Sequence, residues 1–360
     1  MNSSIDAIRD ASTRLTVFLA NYNHGKFLAA AIEGLLCQTV TPMEIWLADD
    51  ASTDESRDII ARYAARHSVI KPVLLPENRG VVANRANFLA DTDAEYVFFA
   101  ASDDLVMPDI IEQSLRLLLR HPEAGLCSSL CRLMDENDHD LGPFRSFVPP
   151  SENGFVSPEM AARLLMQFDS WVMGNTTVYK RNALRAVGGF DPSLHSFTDG
   201  FATRAITLTH GAVFVEKELA YWRQMDSGLS STTNTDPDRV HQIADRAMVL
   251  MSTTHCGIFP PAYGERWRHR WFYGAVTSCL HGQAGDPWPA IDAILSPASA
   301  VDRAMIALSR RTGMAGKLLF KLYAIFRLRA LDALLCLSPI KLRSSARRRI
   351  IASRYKNSSP

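Results

Sequence analysis

The chain has 360 residues, 47% hydrophobic and 21% charged, a balance that excludes a largely disordered or fibrous protein. Its net charge of +1 conceals an asymmetry: residues 303–356 carry 14 Lys/Arg and one acid, Asp332, whereas the residues before Arg303 carry 25 Lys/Arg and 37 Asp/Glu. A basic tail on an acidic body points to an anionic partner for the tail.

The opening segment MNSSIDAIRD places acids where a secretory signal needs cations and then an apolar run, and no stretch of about 18 uncharged apolar residues occurs anywhere. The expectation is a chain neither exported nor membrane-spanning. From residue 15 onward, apolar runs alternate with segments patterned as helices. LTVFLA (15–20) precedes GKFLAAAIEGLLCQ, EIWLAD (44–49) precedes TDESRDIIARYAARH, KPVLLP precedes NRGVVANRANFLA, and EYVFFA precedes PDIIEQSLRLLLRHP. Strand and helix alternating at about thirty residues per unit predicts a parallel sheet wrapped by helices. Asp54, and Pro108 with Asp109, mark helix starts, because an early carboxylate accepts orphan amide hydrogens and proline needs no donor there.

A fifth strand is expected in AGLCSSLCRLMD, then a long loop or lid in LGPFRSFVPPSENGFVSP (141–158), whose Pro, Gly and Ser content is too broken for core. A helix near 157–168, a mixed segment SWVMGNTTVYKRNAL, a turn VGGFDPSL, a helix opening near TDGFATRAITLTHG and a strand AVFVEKELAYW follow. Residues 240–356 read as helical, broken at Pro261, Pro287, Pro297 and Pro339. The six cysteines are scattered and lack paired zinc spacing, so they are expected to be reduced thiols of a cytosolic protein, with a structural zinc the alternative.

Ligands of open parallel sheets bind at the carboxyl ends of the strands. Three polar clusters fall there: NYNHGK after the first strand, DDASTD after the second and SDD after the fourth. Singly, Asp49, Asp50 and Asp54 are equally a turn with a helix cap, and for Asp103 and Asp104 a solvated turn ahead of the Pro108 helix is the lesser reading. Acids at the ends of two strands of one sheet are not what that simpler reading predicts. A hard divalent cation (Mn2+ or Mg2+), bound by one or two carboxylates and completed by phosphate oxygens, matches the pair at 103 and 104.

These segments resemble the inverting family 2 glycosyltransferases. The resemblance runs through Tyr22-Asn23, Gln38-Thr39, Asp49-Asp50-Ala51-Ser52-Thr53-Asp54, Asn78, Gly80, Arg85 and SDDLVMPD, resumes in VGGFDPSLHSFTDGFATRAITLTHG and ELAYWRQMDSGLS, and so covers about residues 13–231. It implies a GT-A-like, mostly parallel α/β sheet flanked by helices, with a glycosyltransferase domain over 1–235 (nucleotide half about 13–135, acceptor half about 136–235) and a helical C-terminal region over 236–360. It also implies single-sugar transfer with inversion from a nucleotide-diphosphate sugar, a UDP-sugar for preference, to a polysaccharide or glycolipid precursor. By residue, it implies that Asp50 accepts the base N–H, that the Leu19, Ala20, Asn21 and Tyr22 backbone lines the base, and that Arg85 lies near the phosphates. Asp103 would face the ribose, Asp104 would bind the metal, and Asp199 would be the general base.

The sequence departs from the family's pattern at Ala101, where many relatives carry Asp, at Thr198, where many carry Glu, and at Met225 beside Gln224, where relatives often place His. The Gln-x-x-Arg-Trp motif of processive members is missing. The other readings weighed are a degenerate glycosyltransferase-like binding module, supported by Ala101 and Met225, and a nucleotidyltransferase. His24 and His195 border the expected site, His255 reads as a core or surface residue, and Trp171 and Tyr221 are either sugar platforms or core aromatics.

In the tail, KLLFKLYAIFRLRALDALLCL sets Leu318, Leu319, Leu322, Ile325, Phe326 and Leu335 among Lys317, Lys321, Arg327 and Arg329, and KLRSSARRR follows. This layout fits an amphipathic helix on an anionic membrane surface, or equally a helix packed on the catalytic domain with a solvated basic end. Nucleic acid is not the expected partner, because interleaved aromatics and a recognised module are missing. The expected location is cytoplasmic, with a peripheral seat on the inner face of the cell membrane as the tail's contribution.

Overall fold

The structure is a computed structural model, and it describes residues 2–144, 147–149, 151, 154–225, 228–282 and 285–330. Helix α1 (Asn2–Ser12) leads into four strand–helix units: β1 (Leu15–Asn21) with α2 (Gly25–Leu36), β2 (Glu44–Asp49) with α3 (Ser56–Arg66), β3 (Ile70–Leu74) with α4 (Val81–Asp91), and β4 (Tyr96–Ala101) with α5 (Ile110–Arg120), the last interrupted by β5 (Leu105–Val106). The chain continues through β6 (Leu126–Met134), β7 (Asp140–Pro143), β8 (Phe155–Val156), α6 (Pro158–Phe168), β9 (Val178–Lys180), α7 (Arg181–Ala186), α8 (Thr198–His210) and β10 (Ala212–Arg223). Helices α9 (Leu229–Thr235), α10 (Pro237–Ser252), α11 (Tyr263–His281), α12 (Trp288–Ile294), α13 (Ala300–Arg311) and α14 (Gly313–Arg327) follow.

The sheet runs β3-β2-β1-β4-β9-β6-β10-β5, with β7 beside β6 and β8 beside β10. Its first four strands are parallel, as the alternating pattern predicts. Beyond β4 the order changes: β9 is antiparallel to both β4 and β6. Helix α6 leads through a 3-10 turn at Gly174–Thr176 into β9, which runs directly on into α7; β9 starts at Val178, level with Phe98, and heads back along β4 to Lys180, level with Tyr96. The turn before β9 therefore sits at the same sheet edge as the carboxyl end of β4.

Alternation along the strands divides the core. Leu15, Val17 and Leu19 of β1, with Tyr96, Phe98 and Ala100 of β4, face α1, α2, α3 and α5. Phe18, Val97 and Phe99 face α4 and the α6 to α8 layer, as a period of two requires. Truncating a fully buried ring such as Phe98 to Ala costs about 3–5 kcal/mol. The second layer also takes in Ile243, Ala247, Phe259, Tyr263 and Trp267, so α10 and α11 share a core with the sheet. A third cluster joins α10 to α14 through residues such as Phe272, Trp288, Ile291 and Phe320.

Several details differ from expectation. α1, which carries no strong sequence signal, buries Ile8 and Ala11 and packs on α5. The expected loop at 141–158 contributes two short strands, β7 and β8. Helix α5 begins one residue after Asp109, whose carboxylate accepts from Lys217 Nζ at 2.5 Å instead of capping the helix. Pro261, Pro287 and Pro297 fall between helices or at a helix start. Pro339, Leu335, Cys336 and the basic run at 341–349 lie outside the described residues.

Candidate active site

Strand register sets the site. Ala20 is level with both Ala48 and Ala101, and Asn21 with Asp49, so the three polar clusters leave the sheet along one edge. Helix α8 precedes β10, whose Arg223 end pairs with Met134 at the end of β6. The N-terminus of α8 thus reaches the same edge. A cleft of about 620 Å³ opens there, and Asp50, Asp103, Asp104 and Asp199 all line it.

The two adjacent acids after β2 divide their tasks. Asp49 is fully buried and points back: its carboxylate accepts from Asn21 Nδ2 at 2.9 Å, Ser52 N at 3.0 Å and Arg57 Nε at 2.9 Å. Burial alone would raise its pKa, but the bonds from Ser52, Asn21 and Arg57 together outweigh that and hold it below the usual carboxylate range. Asp50 points into the cleft and accepts from the backbone N–H of Arg79 and of Gly80, both at 2.8 Å. Gly80 adopts φ +83° to present that N–H, a conformation glycine takes without steric cost. Each Asp50 oxygen keeps a further lone pair for a ligand. Asp54 secures the neighbouring loops, accepting from Gly25 N at 2.8 Å and Ser56 N at 3.0 Å.

Asp104 is 7% exposed. Its Oδ1 accepts from the Arg223 backbone N–H at 2.9 Å and its Oδ2 from Asn175 Nδ2 at 3.1 Å. Burial and the adjacent Asp103 charge push its pKa up, to about 8, against the lowering pull of these donors. The Arg223 guanidinium is spent elsewhere, on the Asp103 and Asp135 carbonyls, on Asp138 at 2.6 Å and over the Phe27 ring.

Asp199 lies in the first turn of α8, after an N-cap at Phe197. It is therefore not the helix cap. Its Oδ1 accepts from Gly200 N at 2.6 Å, and its Oδ2 lies against Cα of Gly174, where any Cβ would overlap it. Gly174 and Asn175 belong to the turn before β9, pinned to β6 by hydroxyls: Ser128 Oγ meets Thr176 Oγ1 at 3.0 Å and accepts from Met173 N at 3.1 Å. On the far side of α8, buried Arg204 donates to Gly200 O at 2.7 Å and to Asp169 at 3.0 and 3.1 Å, and Tyr263 OH donates to Asp169 at 2.7 Å. This network ties the first turn of α8 to the end of α6 and to α11.

Ala20, Asn21, Tyr22 and Arg85 also line the cleft. Tyr22 is 46% exposed, and Arg85 lies over the Phe99 ring. The Leu19 side chain points away, into the layer beneath. His24, bonded to Ser102 Oγ at 3.1 Å, and His195, whose backbone takes φ +46°, are at the rim. Met225 and Gln224 line the cleft where relatives often place His. Trp171 is buried core packed on Phe147, and Tyr221 lies under Arg132. Gly174, Asn175 and Arg223 carry no sequence signal as site residues. The one available hint is a polar Gly-Asn-Thr-Thr string inside an apolar segment.

Among the described residues, no cluster of three or more His, Cys, Asp or Glu side chains is arranged to hold an ion alone. The donor chemistry nevertheless fits a hard cation: two adjacent carboxyl groups, one buried where burial and its neighbour's charge oppose ionisation unless a cation offsets them, with the buried Oδ1 of Asn175 unpartnered beside them. Such an ion would need further oxygen atoms, from water or a phosphate ligand, to complete its shell.

The model of the family described as Glycosyl transferase family 2 matches residues 16–187. An uncharacterized glycosyltransferase of Nostoc sp. is 27% identical over 214 residues, 58% of this chain and 64% of that protein. S. aureus TarS 1–349, solved in complex with UDP-GlcNAc, aligns with a TM-score of 0.56 at 15% identity, covering 83% of this chain and 92% of that one. A mannosyltransferase from Pyrobaculum calidifontis, solved with GDP-Man and Mn2+, aligns with a TM-score of 0.54 at 17% identity, covering 89% and 87%. At such identities the two structures establish the fold.

Proposed function

The chain belongs to glycosyl transferase family 2, and on that premise we propose that it moves one sugar from a nucleotide-diphosphate donor, a UDP-sugar for preference, to a glycan or lipid-linked acceptor with inversion. The observation that carries this reading is the convergence of Asp50, Asp103, Asp104 and Asp199, from three separate parts of the chain, on one cleft.

In this reading the donor base lies against the backbone of residues 19–22 and beside Tyr22. Asp50 accepts the base N–H through its spare lone pairs while the loop at Arg79 and Gly80 holds it in place. Asp103 takes the ribose hydroxyls, and Arg85 faces the phosphates. Asp104 would hold a divalent ion with the diphosphate; when bound, it supplies charge neutralisation for the departing group. Asp199 takes the proton of the acceptor hydroxyl as that oxygen forms its bond to the anomeric carbon and the bond to the diphosphate oxygen breaks. The helical region beyond residue 235, whose α10 and α11 share the core of the sheet, seats the enzyme at a membrane carrying the acceptor. No helix among the described residues is long and apolar enough to cross a membrane.

The test is Asp199→Asn, assayed over a panel of nucleotide sugars. Donor binding should persist while transfer falls by about 100-fold or more; an active Asp199→Asn enzyme overturns the assignment of the base.

A further inference from the structure

One face of the C-terminal helices has no counterpart in the chemistry above. On α14, Met314, Leu318, Leu322 and Phe326 recur every fourth residue and are 81%, 59%, 41% and 64% exposed. The opposite side of the helix is ordinary core, with Phe320 and Ala324 packed in the cluster that includes Trp288. On the neighbouring α13, Leu308 is 48% exposed.

A cavity of about 450 Å³ adjoins this stripe, and Lys317, Lys321 and His281 line it beside Met314 and Leu318. His281 Nδ1 lies 2.8 Å from the Thr277 carbonyl, which can only accept, so the proton is on Nδ1 and Nε2 is the acceptor. Lys321 Nζ donates to that Nε2 at 2.7 Å and keeps two N–H donors. Burial and nearby Lys317 make its charge harder to hold. Among the described residues neither lysine pairs with a carboxylate, whereas Arg310 and Arg327 are paired, with Asp286 and Asp302.

We propose that this face docks on an anionic phospholipid bilayer, with Met314, Leu318, Leu322 and Phe326 entering the headgroup boundary and Lys317 and Lys321 receiving a lipid phosphate in the adjoining cavity. The proposal deepens the membrane seat suggested above and rests on it. Charge complementarity selects the occupant. Uncompensated cations at the edge of an apolar stripe match an anionic interface, and residues 331–360 add seven Lys/Arg against Asp332 alone. A second copy of the face would set cation against cation. A nucleic acid would leave the stripe against phosphates.

The test uses the full chain in co-sedimentation with vesicles of phosphatidylcholine alone or with added phosphatidylglycerol. The expected result is pelleting with the anionic vesicles only, unchanged by inorganic phosphate at matched ionic strength. It should be reduced at least about tenfold in Leu318→Glu/Phe326→Glu, and lose its preference for phosphatidylglycerol in Lys317→Glu/Lys321→Glu. If the wild type does not pellet, the membrane seat itself fails. Should the wild type and both variants pellet equally, the seat belongs to other residues and this face is refuted. Release by inorganic phosphate would make the cavity a free-anion site and overturn the bilayer assignment. A wild-type dimer converted to monomer by Leu318→Glu/Phe326→Glu, with vesicle binding intact, would make the face a contact between copies and overturn it as well.

Discussion

Asn175 donates its side-chain amide to Asp104 Oδ2 at 3.1 Å, and the residue before it, Gly174, lies against the Asp199 carboxylate. A single turn thus touches both the carboxylate proposed to hold the metal and the one proposed to take the acceptor's proton. It lies where it does because β9 runs antiparallel to β4 and begins at the sheet edge where β4 ends. On the proposed assignment, these two residues join the donor side of the cleft to its acceptor side.

The first prediction concerns Gly174. A methyl group at this position overlaps Asp199 Oδ2 and must displace that carboxylate. Gly174→Ala is expected to lower kcat by about 10- to 100-fold, since displacements near 1 Å carry penalties of that order. Donor affinity and melting temperature should stay close to wild type, because the displaced group is the one proposed to face the acceptor. Steady-state kinetics with calorimetric donor binding separates the two effects.

Asn175→Ala tests the other side of the same turn. It removes one of two protein donors to a buried carboxylate, an interaction of about 1.5–3 kcal/mol when the acceptor is charged. Mn2+-dependent binding of a nucleoside diphosphate should weaken about tenfold or more, measured by calorimetry. Binding without metal should change little.

Asp104 also makes a pH prediction. Its carboxyl keeps a proton up to about pH 8 in the folded protein, against a reference value of 3.8. Between those values the folded state binds the extra proton, so the group's contribution to stability falls as pH rises. Asp104→Asn removes that term. The metal-free variant should therefore gain melting temperature relative to wild type as pH rises from 5 to 8 (~3 units, the window bounded by these two values). A wild-type and variant difference that is flat with pH would contradict the account.

Arg204 anchors the first turn of α8. It is 8% exposed and bonds Asp169 and Gly200 O, and its charge, with Tyr263 and Arg270, keeps the Asp169 carboxyl low despite burial. Arg204→Ala leaves that carboxylate without its main partner and should cost about 3–5 kcal/mol in urea unfolding.

Much of this arrangement is legible in the sequence because it is local. Apolar runs ending in Asn21, Asp49 and Ala101 announce parallel strands, and register alone then brings their polar ends to one edge. What is not legible depends on tertiary choice. That Asp49 turns inward while Asp50 faces the cleft is decided by where Asn21 and Arg57 lie. That Gly174 and Asn175 reach Asp104 and Asp199 follows from the direction of β9, a three-residue strand with no periodicity to read. Trp171, a candidate platform by residue type, is taken up by the core, and Ile325 of the amphipathic tail helix is buried while Phe326 beside it is exposed.

The central claim is that this cleft binds a nucleotide-diphosphate sugar through Asp50 and the Asp103–Asp104 pair. The most direct measurement is a thermal-shift panel of nucleoside diphosphates and their sugars, with and without Mn2+, on the wild type, Asp50→Ala and Asp104→Ala. The account predicts stabilisation of the wild type by a uridine diphosphate ligand, enhanced by Mn2+, loss of that stabilisation in Asp50→Ala, and loss of its Mn2+-dependent part in Asp104→Ala. Ligand stabilisation that persists undiminished in both variants would contradict it.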